Sequence, residues 1–148
     1  MVDWAASQRP GEYWQGADLL RSDHGKPLIL YHNDMSTCAN KVRFALAEKG
    51  LTAHVEFRNL DLRGGATKTA AYLKLNPGGY VPTLVHEGKV VAESNDIVEY
   101  LEAPFPPQGI GDSEARLRPS NPGSVSLMRE WMCRLSKPIE YGGLHSNV

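Results

Sequence analysis

The order of short apolar runs and chain breaks between Pro27 and Glu102 constrains this chain more than any other feature. Leu28-Ile-Leu-Tyr31 is a brief, unbroken apolar run, which suits a buried strand. Ser36 and Thr37 follow, and either hydroxyl can cap a helix. Val42, Ala45, Leu46 and Lys49 share one helical face, predicting a helix from about Cys38 to Lys49 with Gly50 as its stop. Val55 and Phe57 then alternate with Glu56 and Arg58, the pattern of a half-exposed strand. A loop at Asp61–Gly65 leads to a short helix from Thr69 to Leu75, and Asn76-Pro-Gly-Gly79 breaks the chain. Pro82-Thr-Leu-Val85 and Lys89-Val-Val-Ala92 read as strands of a hairpin around His86-Glu87-Gly88. A last helix begins at Ser94, with Ile97 and Leu101 on one face.

The resulting order is β-α-β-α-β-β-α. Two strands joined through a helix run parallel with a right-handed crossover, and a tight hairpin is antiparallel. The expectation is an α/β fold: a mixed four-stranded sheet with helices on its faces, spanning residues 27–103.

The flanks read differently. Residues 1–26 form an extension without sustained periodicity, carrying Trp4, Tyr13 and Trp14, either as a loose tail or docked through its aromatics. Residues 104–123 are a Pro/Gly-rich linker. In residues 124–148, Met128, Trp131, Met132, Leu135 and Ile139 recur at helical spacing, giving an amphipathic helix broken near Pro138. Its apolar stripe must fold back on the sheet or meet another chain.

Composition narrows the function classes. Sixteen Lys and Arg against 17 Asp and Glu give a net charge of −1, which removes the electrostatic argument for nonspecific nucleic-acid or anionic-membrane binding. No apolar run approaches the roughly 20 residues of a membrane span, and the first ten residues hold no apolar signal core. Cys38 and Cys133 are too few for a disulfide scaffold, so a reducing, cytoplasmic setting is expected. His24, His32, His54, His86 and His145 show no paired ligand spacing, so no metal site is expected. Ser36-Thr-Cys38 lacks the second cysteine of a dithiol oxidoreductase.

Three segments in the expected order carry a family resemblance. Tyr31-His-Asn-Asp-Met-Ser36-Thr-Cys38-Ala-Asn-Lys-Val-Arg-Phe-Ala-Leu-Ala-Glu-Lys-Gly50 resembles the first strand and helix of glutathione transferases. Asn76-Pro-Gly-Gly-Tyr-Val81-Pro82-Thr-Leu-Val85 resembles the cis-proline segment of their thioredoxin-like domain. Glu93-Ser94-Asn95-Asp96-Ile97-Val-Glu-Tyr-Leu101 resembles the start of their glutathione-binding helix.

The resemblance implies a thioredoxin-like fold and glutathione as co-substrate. It implies a cis bond before Pro82, turning the Val81 backbone to pair with the cysteinyl unit of glutathione as an added strand would. A helix starting at Ser94 offers free N–H groups and a positive dipole end to the γ-glutamyl carboxylate. Glu93 would accept from the γ-glutamyl ammonium. From the residues alone, Ser94 could merely begin its helix and Glu93 merely end a strand. Ser36 matches the hydroxyl that donates to the glutathione sulfur in serine-type members, although an N-cap explains it equally. Such a donor matters because a free thiol titrates at about 8.5, and a depression of about two units makes the thiolate the majority form at neutral pH. Cys38 is similar in placement to the reacting cysteine of zeta-class isomerases and reductive dehalogenases of the family; its plain reading is a small residue packing the helix start. Tyr80 stands where many members carry Gln or Lys toward the glycyl end of glutathione.

Of the family's helical second domain, which supplies most of the second-substrate pocket, only a first helix, about Ser124 to Ser136, is expected in this sequence. The join at Leu117-Arg-Pro119 and Met128-Arg-Glu-Trp131 is similar to bacterial members that cleave β-aryl ethers. The expected function is therefore a glutathione-dependent transferase acting on a small hydrophobic electrophile. The chain would serve as a short subunit of a homodimer, or of a heterodimer with a longer glutathione transferase-like subunit. The alternative is a non-catalytic subunit that binds and stabilises an active partner. A truncated gene product and a stand-alone thioredoxin-like module remain open beside these.

Overall fold

The computed structural model describes residues 19–105 and 117–136. Trp4, Tyr13, Trp14, Pro138 and Ile139, singled out above, lie outside the described residues, as does the side chain of Leu135. The chain runs β1 (Leu28–His32), α1 (Thr37–Glu48), β2 (Val55–Asn59), α2 (Ala70–Leu75), β3 (Thr83–His86), β4 (Lys89–Ala92), α3 (Ser94–Leu101) and α4 (Pro122–Ser136). Short 3-10 turns at Thr52–His54 and Ala66–Lys68 precede β2 and α2.

The sheet has four strands in the order β2-β1-β3-β4. β1 pairs parallel with β2, from Leu28 opposite Val55 to His32 opposite Asn59. It pairs antiparallel with β3, with Tyr31 opposite Thr83. The hairpin closes Thr83 onto Ala92. This is the mixed sheet and thioredoxin-like order read from the sequence.

Alternation along β1 feeds two cores. Leu28 and Leu30 face Val42 and Leu46 of α1 and Ile97 and Leu101 of α3. Ile29 and Tyr31 face Tyr72 of α2, together with Leu60 and Leu19. Every residue of β1 is buried, and each apolar side chain so covered contributes about 1.5–3 kcal/mol. α1 stops where expected, because Gly50 takes φ +67, a conformation that costs a residue with a Cβ.

β2 departs from expectation. Glu56 and Arg58 alternate as outward residues would, yet they are 6% and 1% exposed. Arg58 donates from Nε to Glu56 at 2.6 Å, from Nη1 to the Tyr31 hydroxyl at 2.7 Å and from Nη2 to the Arg21 carbonyl at 2.7 Å. Glu56 accepts from Ser22 Oγ at 2.5 Å and from the Asp23 N–H at 2.8 Å. Tyr31 donates to the Leu19 carbonyl at 2.8 Å. Charges survive burial only when paired, and here residues 19–26 supply the partners and the cover. Periodicity assigned that segment no structure because its role is to satisfy a strand more than thirty positions away.

At the far end, α4 begins two residues earlier than the expected Ser124. Asn121 Oδ1 accepts from the Gly123 N–H at 2.8 Å and the Ser124 N–H at 3.3 Å, an N-cap with Pro122 in the first turn. Lys49 and Glu102 form a covered ion pair at 2.8 Å, and Glu102 also accepts from the Leu117 N–H at 3.0 Å. Arg129 of α4 pairs with Glu99 of α3. Leu127 and Trp131 on α4 are exposed.

Candidate active site

One end of the sheet gathers the residues singled out above. β1 leaves the sheet after His32, beside the start of its antiparallel neighbour β3 at Thr83, and β4 arrives there at Ala92. The loop carrying Ser36, the Val81-Pro82 segment and the Glu93-Ser94 junction therefore share that end. Lys41 of α1 reaches the side chain of Asn95 in the first turn of α3, tying two of these pieces together.

Ser36 is the N-cap of α1, with extended backbone (φ −82, ψ 114). Its Oγ accepts from the Ala39 N–H at 3.2 Å, and its own N–H donates to the Asn33 carbonyl at 3.0 Å. A hydroxyl that accepts in this way still has its proton to donate, so capping and catalysis are compatible. The Val81-Pro82 bond is cis. Val81 precedes β3, so its N–H and C=O lie outside the sheet ladder. Glu93 takes φ 66 and ψ 123, a region costing a non-glycine residue of order 1–3 kcal/mol. No side chain caps α3, and its first helical backbone bond runs from the Ile97 N–H to the Glu93 carbonyl at 2.9 Å. The N–H groups of Ser94, Asn95 and Asp96 precede that bond and have no intrahelical acceptor.

Residues 35–103 match the family model for the glutathione S-transferase N-terminal domain. The chain carries a glutathione S-transferase N-terminal domain. It is 40% identical over 109 residues to glutathione S-transferase 1 of Dianthus caryophyllus, an alignment covering 74% of this chain and 48% of that protein. It is 40% identical over 100 residues to maleylacetoacetate isomerase of Pseudomonas aeruginosa, covering 67% of this chain and 47% of the isomerase. The crystal structure of the β-etherase LigF from Sphingobium superposes with a TM-score of 0.64 at 36% identity, covering 75% of this chain and 43% of that one. The chain thus spans about half the length of the relatives it matches.

Within this glutathione S-transferase domain, several supporting residues escaped the sequence reading. Asn76 donates to the Tyr80 carbonyl at 3.1 Å and to Thr83 Oγ1 at 2.9 Å, and accepts from the Gly78 N–H at 3.1 Å. Tyr72 donates to the Tyr80 carbonyl at 2.8 Å, and burial pushes its phenol up to about 12, so it remains a neutral donor. Together they fix the turn on both sides of Val81. Gly79 is required there: it takes φ +63, and a Cβ would approach the Thr67 carbonyl to 3.0 Å. Only Asn76 and Gly79 carried a sequence signal, and that signal read simply as a chain break.

Tyr80 is exposed and its ring lies under Lys68 Nζ, 4.8 Å from the centroid, while Lys68 donates to the Gly79 carbonyl at 3.0 Å. Cys38 is an exposed free thiol in the first turn of α1. It lies within electrostatic reach of Lys41, whose ammonium burial pulls below its usual range. Among the described residues no group of His, Cys, Asp and Glu is placed to hold a metal ion, and no helix is long and apolar enough to cross a membrane.

Proposed function

We propose that this domain binds glutathione at the shared sheet end and that Ser36 activates its sulfur. The observation that carries the reading is the position of Val81 just ahead of β3, where its N–H and C=O lie outside the sheet ladder at the sheet end that carries the Ser36 loop. The cysteinyl unit of glutathione would pair with Val81 as an added strand. The γ-glutamyl carboxylate would take the N–H groups at the start of α3, with Glu93 accepting from the ammonium. Tyr80, beside Lys68, would face the glycyl end.

The Ser36 hydroxyl would donate to the sulfur, favouring thiolate over thiol while the thiol proton passes to solvent. The thiolate would attack an electrophilic carbon. A C–S bond forms, and the bond to the leaving group breaks with its electron pair on the leaving group. A small hydrophobic electrophile suits this chemistry, and the likeness to LigF makes a β-aryl ether, losing phenoxide, the first candidate. The exposed thiol of Cys38 in the same helical turn supports a second chemistry, of the isomerase or dehalogenase type, in which Cys38 itself would react. The exposed Leu127 and Trp131 on α4 support action as one subunit of a dimer, with a second copy or a longer glutathione transferase-like chain completing the pocket.

Steady-state kinetics of Ser36→Ala and Cys38→Ser test the assignment. Ser36→Ala is expected to lower kcat about a hundredfold while the KM for glutathione changes little, as befits a bond made chiefly to developing thiolate. Unchanged kcat in Ser36→Ala with loss in Cys38→Ser transfers the role to Cys38. Activity that tracks only a partner's site makes the chain a non-catalytic, stabilising subunit.

A further inference from the structure

The loop that carries Ser36 is held by a polar clamp whose node is Asp34. Its Oδ1 accepts from Arg43 Nη1 of α1 at 2.9 Å, and its Oδ2 accepts from Asn59 Nδ2 at the end of β2 at 2.8 Å. Its backbone carbonyl accepts from Asn40 Nδ2 at 3.0 Å, and Arg43 also donates to Asn40 Oδ1 at 3.0 Å. Beside it, Asn33 donates to the Leu60 carbonyl at 2.8 Å and accepts from the Met35 N–H at 2.9 Å, while the Ser36 N–H returns to the Asn33 carbonyl. The five residues from His32 to Ser36 are thereby fixed to the end of β2 on one side and to the second turn of α1 on the other.

The clamp's geometry is singular in one respect. His32 Nδ1, on a side chain 5% exposed, lies 3.7 Å from Asp34 Oδ1, beyond hydrogen-bonding distance, and has no partner among the described residues. Burial of such a nitrogen without a bond is costly, and a turn of the Asp34 carboxylate toward it would satisfy it. Both Asp34 oxygens are instead committed to Arg43 and Asn59. The fold leaves His32 unsatisfied and keeps the loop triangulated.

We propose that Asp34 is a positioning residue for Ser36, setting where the hydroxyl proton points through its bonds to Arg43, Asn59 and Asn40. This rests on the reading of Ser36 as the donor to the glutathione sulfur. A hydrogen bond weakens steeply with angle and distance, so a loop released by a fraction of an ångström loses thiolate stabilisation before it loses glutathione. The direction separates positioning from a bare charge effect. Deleting a carboxylate near a thiolate lowers the thiol pKa, whereas misplacing its hydrogen-bond donor raises it.

The test is an ultraviolet thiolate titration of glutathione bound to the full chain, with the dissociation constant measured alongside. Asp34→Ala is expected to raise the pKa of the bound thiol by about one unit, an approximately tenfold loss of thiolate at fixed pH below it, with affinity nearly unchanged. Asp34→Asn, which keeps an acceptor for Asn59 but loses the ion pair with Arg43, should fall between. Asn59→Ala removes a neutral leg of the clamp and changes no charge, so it should shift the same way and decides the matter if Asp34→Ala does not fold. A pKa that stays put or falls in the Asp34 and Asn59 variants, while Ser36→Ala raises it, overturns the positioning role and leaves Ser36 as the donor. A pKa unmoved by Ser36→Ala overturns both readings, as does a full chain that takes up no glutathione.

Discussion

Arg58 and Glu56 lie two residues apart on one strand, joined at 2.6 Å, and both are buried on the sheet face that α2 covers only in part. Residues 19–26 close the remainder by donating to Glu56 and accepting from Arg58. The ion pair and the covering segment require one another: without the segment the charges lie open, and without the charges the segment has little to hold.

Removing one member of this pair should therefore be worse than removing both. Arg58→Ala leaves a buried carboxylate uncompensated and is expected to cost about 3–5 kcal/mol, whereas Glu56→Leu with Arg58→Met leaves only the neutral Ser22, Asp23 and Arg21 groups unmet and should cost less, about 1–3 kcal/mol. Urea unfolding of the two variants checks this, and equal losses would contradict it.

His32 predicts an acid limb of stability. Burial, aided by the Arg43 charge and opposed by Asp34, lowers its imidazole to about 4 from the ordinary value of 6.5. The unfolded chain then binds a proton that the folded chain refuses. The contribution is fully present above pH 6.5 and is lost as pH falls from there toward 4, amounting to about 3 kcal/mol at the bottom of the window. Urea midpoints between pH 7 and pH 4.5 should fall, and His32→Phe, which keeps a ring against Phe57, should flatten the slope.

Asn76 predicts a separation of binding from chemistry. Its amide holds the Tyr80 carbonyl and Thr83 Oγ1, so Asn76→Ala frees the turn around Val81 without touching Ser36. The dissociation constant for glutathione should rise about tenfold, in keeping with about 1–3 kcal/mol for a buried partner left unmet, while kcat at saturating glutathione stays near its original value. Calorimetry beside steady-state kinetics reads both.

The parts of the fold legible in the sequence are those governed by local periodicity. Val42, Ala45 and Leu46 marked α1, Gly50 its stop, and the hairpin around Glu87 and Gly88 set the antiparallel edge. Ser36, Val81, Pro82, Glu93 and Ser94 were legible as candidates through a resemblance, while topology alone explains why they share one end of the sheet. What stayed hidden is non-local polar bonding. Nothing in the alternation of Val55-Glu-Phe-Arg58 reveals that its polar members point inward, because their partners sit at Arg21, Ser22 and Asp23. Asp34 and Asn59 are likewise ordinary loop and strand-end residues until the parallel register brings His32 beside Asn59.

Native mass spectrometry of the full chain, with and without glutathione, reads the binding of glutathione itself. Glutathione recognised at Val81 and the start of α3 should appear as one added molecule per chain, and that addition should be lost in Val81→Pro, which removes the Val81 N–H. A chain that takes up no glutathione, or takes it up equally well in Val81→Pro, would contradict that recognition.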